Sequence, residues 1–276
     1  MILPTYSRGV ISHIKSKPKP IIMKNLLLIA TLLFSGSTVF SQIAVMDVIQ
    51  IKDGMENDYE SIEAFVSPIQ KEAINQGRKL GWYVMKRQSG GDLSKVEDKG
   101  IGDYVLINIY KDKAQRDADQ WSDYLEIAKK VYRGKMTKSK LTKKFNSAIN
   151  PRKDTRTYML ENIYYTKPGS ASVGDVYYIW PAEQLNDEYE QFEMDIFRPM
   201  WEERILEGSH LSWSFNRVID RSENAYQNIS HIIFNKPSEM PSKIQTDFKT
   251  QKAMEMGFLA RKGFDAAKCK IILMQN

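Results

Sequence analysis

The chain has a single cysteine in 276 residues, Cys269. No intrachain disulfide is available, so stability has to come from a packed core. Histidine is nearly as scarce: His13, His210 and His231 are the only three. None stands in a spacing such as His-x3-His and no cysteine pair supplements them, which argues against a zinc site. A Gly-rich phosphate loop, a nucleophile elbow and an Asp-x-Asp-x-Asp-Gly calcium loop are all missing. No metal and no cofactor is therefore expected from motifs.

An excess of one charge is also lacking once the N-terminus is set aside. The formal charge is +6, from 40 Lys+Arg against 34 Asp+Glu. Residues 1–41 hold five of those bases (Arg8, Lys15, Lys17, Lys19, Lys24) and no acid, so the remainder carries only about +1. That balance gives no nucleic-acid signature. From Met23 the sequence reads "MKNLLLIATLLFSGSTVFSQ": one Lys, an apolar run Leu26–Phe34, then Val39 and Ser41 at the −3 and −1 positions of a cut before Gln42. This is the layout of a secretory signal peptide, too short to span a bilayer comfortably. Residues 1–41 are read as leader and signal, with Met23 as the expected true start. An exported protein, periplasmic or extracellular, with no transmembrane segment after cleavage is expected.

What is present is a repetition. "PIQKEAINQGRKLGW" (68–82) and "PMWEERILEGSHLSW" (199–213) share Pro68/Pro199, Glu72/Glu203, Ile74/Ile205, Gly77/Gly208, Leu80/Leu211 and Trp82/Trp213 without a gap. The β-branched run Ile43–Ile51 predicts a strand. Tyr59, Ile62, Val66, Ile69 and Ala73 follow at helical steps, with Gly77 placed to end the helix. Strands are expected at "GWYVMKRQS" and "DYVLINIYK" around a loop 90–102, then a helix from about 114 to 133, a basic helical segment, and the strand "TYMLENIYYT". The second half repeats the order: strand "DVYYIW", helix 186–207, strands "LSWSFNRVI" and "NISHIIFN", a helix at about 243–262, and strand "KIILMQ".

Each half therefore reads β-α-β-β-α-β, the ferredoxin-like order, which leaves one sheet face bare. Two such repeats, 42–168 and 169–276, can cover each other's bare faces, giving an α+β fold in which the two repeats pack sheet to sheet. In this twice-repeated order, and in the Pro-x3-Glu-x-Ile-x2-Gly-x2-Leu-x-Trp spacing, the chain resembles the dimeric α+β barrel superfamily over about residues 43–276. The resemblance implies a pseudo-dimeric barrel whose interior holds a small ligand. Members include cofactor-free monooxygenases acting on polyketide-like aromatics, haem-degrading enzymes and haem-binding chlorite dismutases. Fold alone does not choose among them. The monooxygenases and haem degraders use Asn, Trp, Tyr and His, and Asn108, Trp121 and His231 offer those types here. Haem as an alternative cofactor would need His231 or His210 as its axial ligand.

His231 alternates with Ile229 and Ile233 on one face of a predicted strand, so its ring either finds a core partner or points into a polar cavity. Asp47, Asn108, Glu161, Asn162 and Asn216 also interrupt strands, where a polar group must be paired, line a wet cavity or face solvent. His231 and Asn108 are the expected catalytic pair. Trp82, Trp213, Asp47, Glu161 and Asn162 are the expected ligand-binding set. The segment Lys129–Lys144 carries eight bases and no acid, either a solvated helix face or a dock for an anionic surface. The expected function is binding of a small aromatic or apolar molecule, with cofactor-free monooxygenase-like activity implied by the resemblance. The competing expectation is an envelope-associated interaction protein with a packed, non-catalytic barrel. Either form can be a monomer or a homo-oligomer.

Overall fold

A computed structural model of the chain describes residues 42–91, 102–166 and 171–276. The expected signal peptide and most of the 90–102 loop lie outside these residues. The first half contains β1 (Ile43–Ile51), α1 (Glu56–Asn75), β2 (Gly81–Ser89), β3 (Tyr104–Tyr110), α2 (Lys113–Ala118), α3 (Tyr124–Val131), α4 (Lys138–Asn146) and β4 (Arg152–Tyr165). The second contains β5 (Val176–Gln184), α5 (Tyr189–Phe192), a π turn (Glu193–Phe197), α6 (Arg198–Glu207), β6 (His210–Arg221), β7 (His231–Pro237), α7 (Phe248–Leu259), β8 (Arg261–Gly263) and β9 (Ala267–Gln275).

Eight strands close an antiparallel barrel in the order β4-β1-β3-β2-β9-β5-β7-β6, with β6 returning to β4. Strand β8 hangs on β5 outside the closed ring. Within each half the spatial order is last, first, third, second: β4-β1-β3-β2 and β9-β5-β7-β6. The halves meet at two seams, β4 with β6 and β2 with β9. Among the described residues, closure leaves only the short β8 with an unpaired edge.

Strand alternation then sorts side chains between the barrel interior and the helix-covered exterior. The interior cluster includes Met46, Val48, Met85, Val105, Leu160, Ile179, Ile232 and Ile271. The outer face of the first half packs Ile49, Trp82, Val84, Tyr104 and Leu106 against Tyr59 of α1. Its counterpart in the second half packs Trp213, Phe215 and Ile233 against Tyr189. Gly77 and Gly208 end the two long helices with φ of 72° and 88°, a left-handed conformation that favours glycine.

Two helices differ from expectation. The 114–133 helix is broken after Ala118 and resumes at Tyr124, because Asp119 turns inward to accept hydrogen bonds from the Tyr110 and Tyr124 hydroxyls. The 243–262 helix is shorter at both ends. It begins at Phe248, where Asp247 caps the backbone N–H of Thr250, and Arg261–Gly263 pair instead with β5.

Candidate functional site

The barrel is packed at one end and hollow at the other. Tyr158, Ala225, Ile229 and Phe264 belong to the cluster that fills the packed end, where the Tyr158 hydroxyl accepts from the backbone N–H of Tyr226. At the other end lies a cavity of about 590 Å³, a size suited to a small organic molecule. It is bounded by the starts of β1, β2 and β6 and the ends of β3, β4 and β9.

Its walls are unlike one another. The seam between β2 and β9 and the adjoining β3 supply Tyr83, Met85, Ile107, Ile109 and Ile271, and β7, next to β6, supplies Phe234. The seam between β4 and β6 supplies Asn162, Ser212, Ser214 and Asn216. There the Asn162 amide donates to Asn216 Oδ1 at 2.9 Å. Asn216 in turn donates to Ser214 Oγ at 3.2 Å and to the Ile232 carbonyl at 3.0 Å. Tyr177 hydrogen-bonds with Ser212, and Tyr83 with Asn276; burial pushes both phenols above their ordinary range. Among the described lining residues there is no Asp, Glu, Lys, Arg or His.

Of the residues singled out from sequence, Asn162, Asn216 and Trp213 border this cavity. The Trp213 ring is nonetheless almost wholly buried in the outer cluster with Tyr189 and Phe215. Trp82 is fully buried in the corresponding cluster of the first half. Asp47 accepts from the Thr157 hydroxyl at 2.6 Å. Burial raises its pKa, while Thr157, Arg152 and Lys79 pull it down. Asn108 accepts from the buried Lys79 ammonium at 2.7 Å, which also pairs with Asp119 at 3.1 Å. Glu161 pairs with Arg217 at 2.9 Å. None of these four lines the cavity. Trp121 is half exposed and stacks on Tyr124 and Phe145.

His231 is also placed away from the cavity, with both ring nitrogens engaged. Nδ1 lies 2.9 Å from Ser230 Oγ and Nε2 lies 2.9 Å from Glu190. The ring stacks on Phe215 and meets Tyr189 edge-on. Burial holds its pKa below the usual histidine range against the pull of Glu190. A Ser–His–Glu chain invites comparison with an activated serine. The first half supplies another explanation for it. There Tyr104 donates to Glu60 at 2.6 Å, as His231 meets Glu190, and Lys86 pairs with Glu60 as Arg217 pairs with Glu190. Asp103 accepts the backbone N–H of Ile51, just as Ser230 accepts that of Gln184. The chain Ser230–His231–Glu190 thus occupies the same structural positions as Asp103–Tyr104–Glu60.

A second constellation is also doubled. Glu63 pairs with Arg152, whose guanidinium lies 5.7 Å from the Tyr59 ring. Glu193 pairs with Arg261, which lies 5.7 Å from the Tyr189 ring. Sequence reading missed this because Tyr59, Glu60 and Glu63 match Tyr189, Glu190 and Glu193 at a spacing of 130, whereas the downstream matches fall at 131. The π turn Glu193–Phe197 lies between the two sets and accommodates the extra residue. One gap in the alignment would have exposed it.

No protein-family model matches the chain, and no curated protein matches it either. Solved structures do. One, from Lactobacillus acidophilus NCFM, is described as a "putative monooxygenase"; it is 12% identical, with a TM-score of 0.52 over 86% of this chain and 96% of that one. Another of the same description, from Fusobacterium nucleatum subsp. nucleatum, is 11% identical, with a TM-score of 0.53 over 86% of this chain and 95% of the other. The chain has the dimeric α+β barrel fold. Among the described residues no helix is long and apolar enough to cross a membrane, and no cluster of three or more His, Cys, Asp or Glu could hold a metal ion.

Proposed function

We propose that this barrel binds a small aromatic or apolar molecule at its hollow end and oxidises it without a cofactor, in the manner of a monooxygenase. Dioxygen is the oxidant, one oxygen atom entering the substrate and the other leaving as water on electrons and protons from the substrate itself. The observation that carries the binding reading is the 590 Å³ cavity, with mostly apolar walls and hydrogen-bonding side chains concentrated at the seam between β4 and β6. A packed, purely structural barrel would fill that space, since interiors close to crystal density leave few voids larger than a water. The monooxygenase reading draws on the two like-folded proteins of that description. Haem does not fit this cavity through a histidine: His210 rests against Trp201 and His231 is held between Ser230 and Glu190.

The architecture is read as two tandem ferredoxin-like repeats in one chain. The identical strand order, the Trp82/Trp213 match and the two doubled constellations support a duplication. Export is part of the proposal and rests on the signal-like segment ending at Ser41; N-terminal mass mapping of exported protein should find a start at or near Gln42. Ligand screening by thermal shift, with mass spectrometry of co-purified material, tests the binding reading. A cavity ligand raises the melting temperature by mass action. Ala44→Phe, which fills the cavity from β1, should abolish that rise while the protein stays folded. A ligand that shifts both proteins equally would place binding elsewhere.

A further inference from the structure

The two seams of the barrel are chemically unequal, and that inequality specifies the ligand beyond its being apolar. We infer that the cavity selects an uncharged aromatic molecule bearing a hydroxyl, with that oxygen seated on Ser214 and Asn216 at the seam between β4 and β6. The inference rests on the cavity reading above.

No Asp, Glu, Lys, Arg or His side chain lines the described cavity wall. A charged ligand would lose its hydration there with no counter-charge among the described lining residues to replace it, a cost far larger than any single hydrogen bond returns. The seam still offers polar capacity. Ser214 Oγ accepts from the Asn216 amide, and among the described residues its own O–H has no acceptor. Asn216 Oδ1 accepts one hydrogen bond, from Asn162, and a carbonyl oxygen has room for two. Both Asn216 amide hydrogens are used, on Ser214 and on the Ile232 carbonyl, so the oxygen is held in place and the amide cannot turn over without losing both bonds. The pair thus presents one donor and one acceptor side by side on the same face of β6, residues two apart. A hydroxyl satisfies both at once, accepting from Ser214 and donating to Asn216. Across the cavity Tyr83 and Ile109, and beside Ser214 on the neighbouring strand Phe234, provide ring and apolar surface for the rest of the molecule.

The pseudo-symmetric counterparts make the asymmetry specific to this seam. Register places Ser214 opposite Phe234 and Tyr83 opposite Ile107, so Tyr83 holds in the first half the place of Ser214 in the second; Met85 likewise matches Asn216. Polar side chains at 214 and 216 are therefore not a requirement of building the barrel.

The test is a matched set of three probes titrated calorimetrically: 2-naphthol, naphthalene and 2-naphthoate. Wild type should bind 2-naphthol about threefold to tenfold tighter than naphthalene, the return of one or two net hydrogen bonds, and the carboxylate most weakly. Ser214→Ala should bring 2-naphthol down to the naphthalene level and leave naphthalene unchanged; Ser214→Thr, which keeps the hydroxyl, should restore the preference. Equal affinity for 2-naphthol and naphthalene, or 2-naphthoate as the tightest ligand, would overturn the inference while leaving the cavity reading intact. Failure of all three to bind would contradict the cavity reading itself.

Discussion

His231 is the residue whose placement changes most between sequence and structure. With 1% of its surface exposed and both nitrogens bonded, it packs as a core side chain. Truncation to alanine removes a stacked ring and takes one hydrogen bond each from Ser230 and Glu190, a loss of about 2–4 kcal/mol. A denaturant melt of His231→Ala should show that loss, and affinity for a cavity ligand should be unchanged. Glu193 makes the pH argument. Burial raises its carboxyl from the ordinary carboxylate range to about 7, despite the Arg261 pairing and the Tyr189 hydrogen bond. A carboxyl raised in the folded state favours the protonated form there. Its contribution to stability is therefore full below about pH 4.5 and is lost as pH rises through about 7. His231 acts oppositely: its lowered pKa contributes stability above the ordinary histidine value that is lost on acidification. Comparison of wild type with Glu193→Gln isolates the first effect: wild type should lose stability relative to the variant from pH 4.5 to pH 8.

At the scale of elements, the two long helices show what could be read in advance and what could not. Apolar spacing from Tyr59 to Ala73 and the terminal glycines 77 and 208 were legible, because helical period and left-handed termination leave local marks. The π turn was not, since one extra residue leaves no local mark and shows only as a shift of one in the spacing between the matched segments. In the strands, alternation revealed two faces without saying which lay inside. Trp82, Asp47, Asn108 and Glu161 were chosen from the outer face. The interior residues Tyr83, Ser212 and Ser214 are immediate chain neighbours of Trp82 and Trp213, one step along the pleat. Choosing the inner face requires the seams between halves, which are long-range information. The doubled Tyr–Glu–Arg constellations yield an element-level expectation: Arg152→Met and Arg261→Met each leave a buried carboxyl without its ion-pair partner. Both variants should lose stability by similar amounts, on the order of 3 kcal/mol, read from paired chemical melts.

For the whole molecule, closure is what the two halves give each other. The inner face of β1 to β4, with Met46, Met85, Val105 and Leu160, is covered only when β5 to β9 complete the ring. Neither 43–167 nor 174–276 expressed alone should give a cooperative melt. The same closure creates the hollow end, where β4 and β6 from different halves bring Asn162 and Asn216 together. A crystal structure of the intact protein grown with 2-naphthol tests this account most directly. The account predicts the ring inside the barrel beside Tyr83 and Phe234, with its oxygen within hydrogen-bond distance of Ser214 Oγ and Asn216 Oδ1. A ring found between the sheet and the helices, against Asn108 or His231, would contradict it.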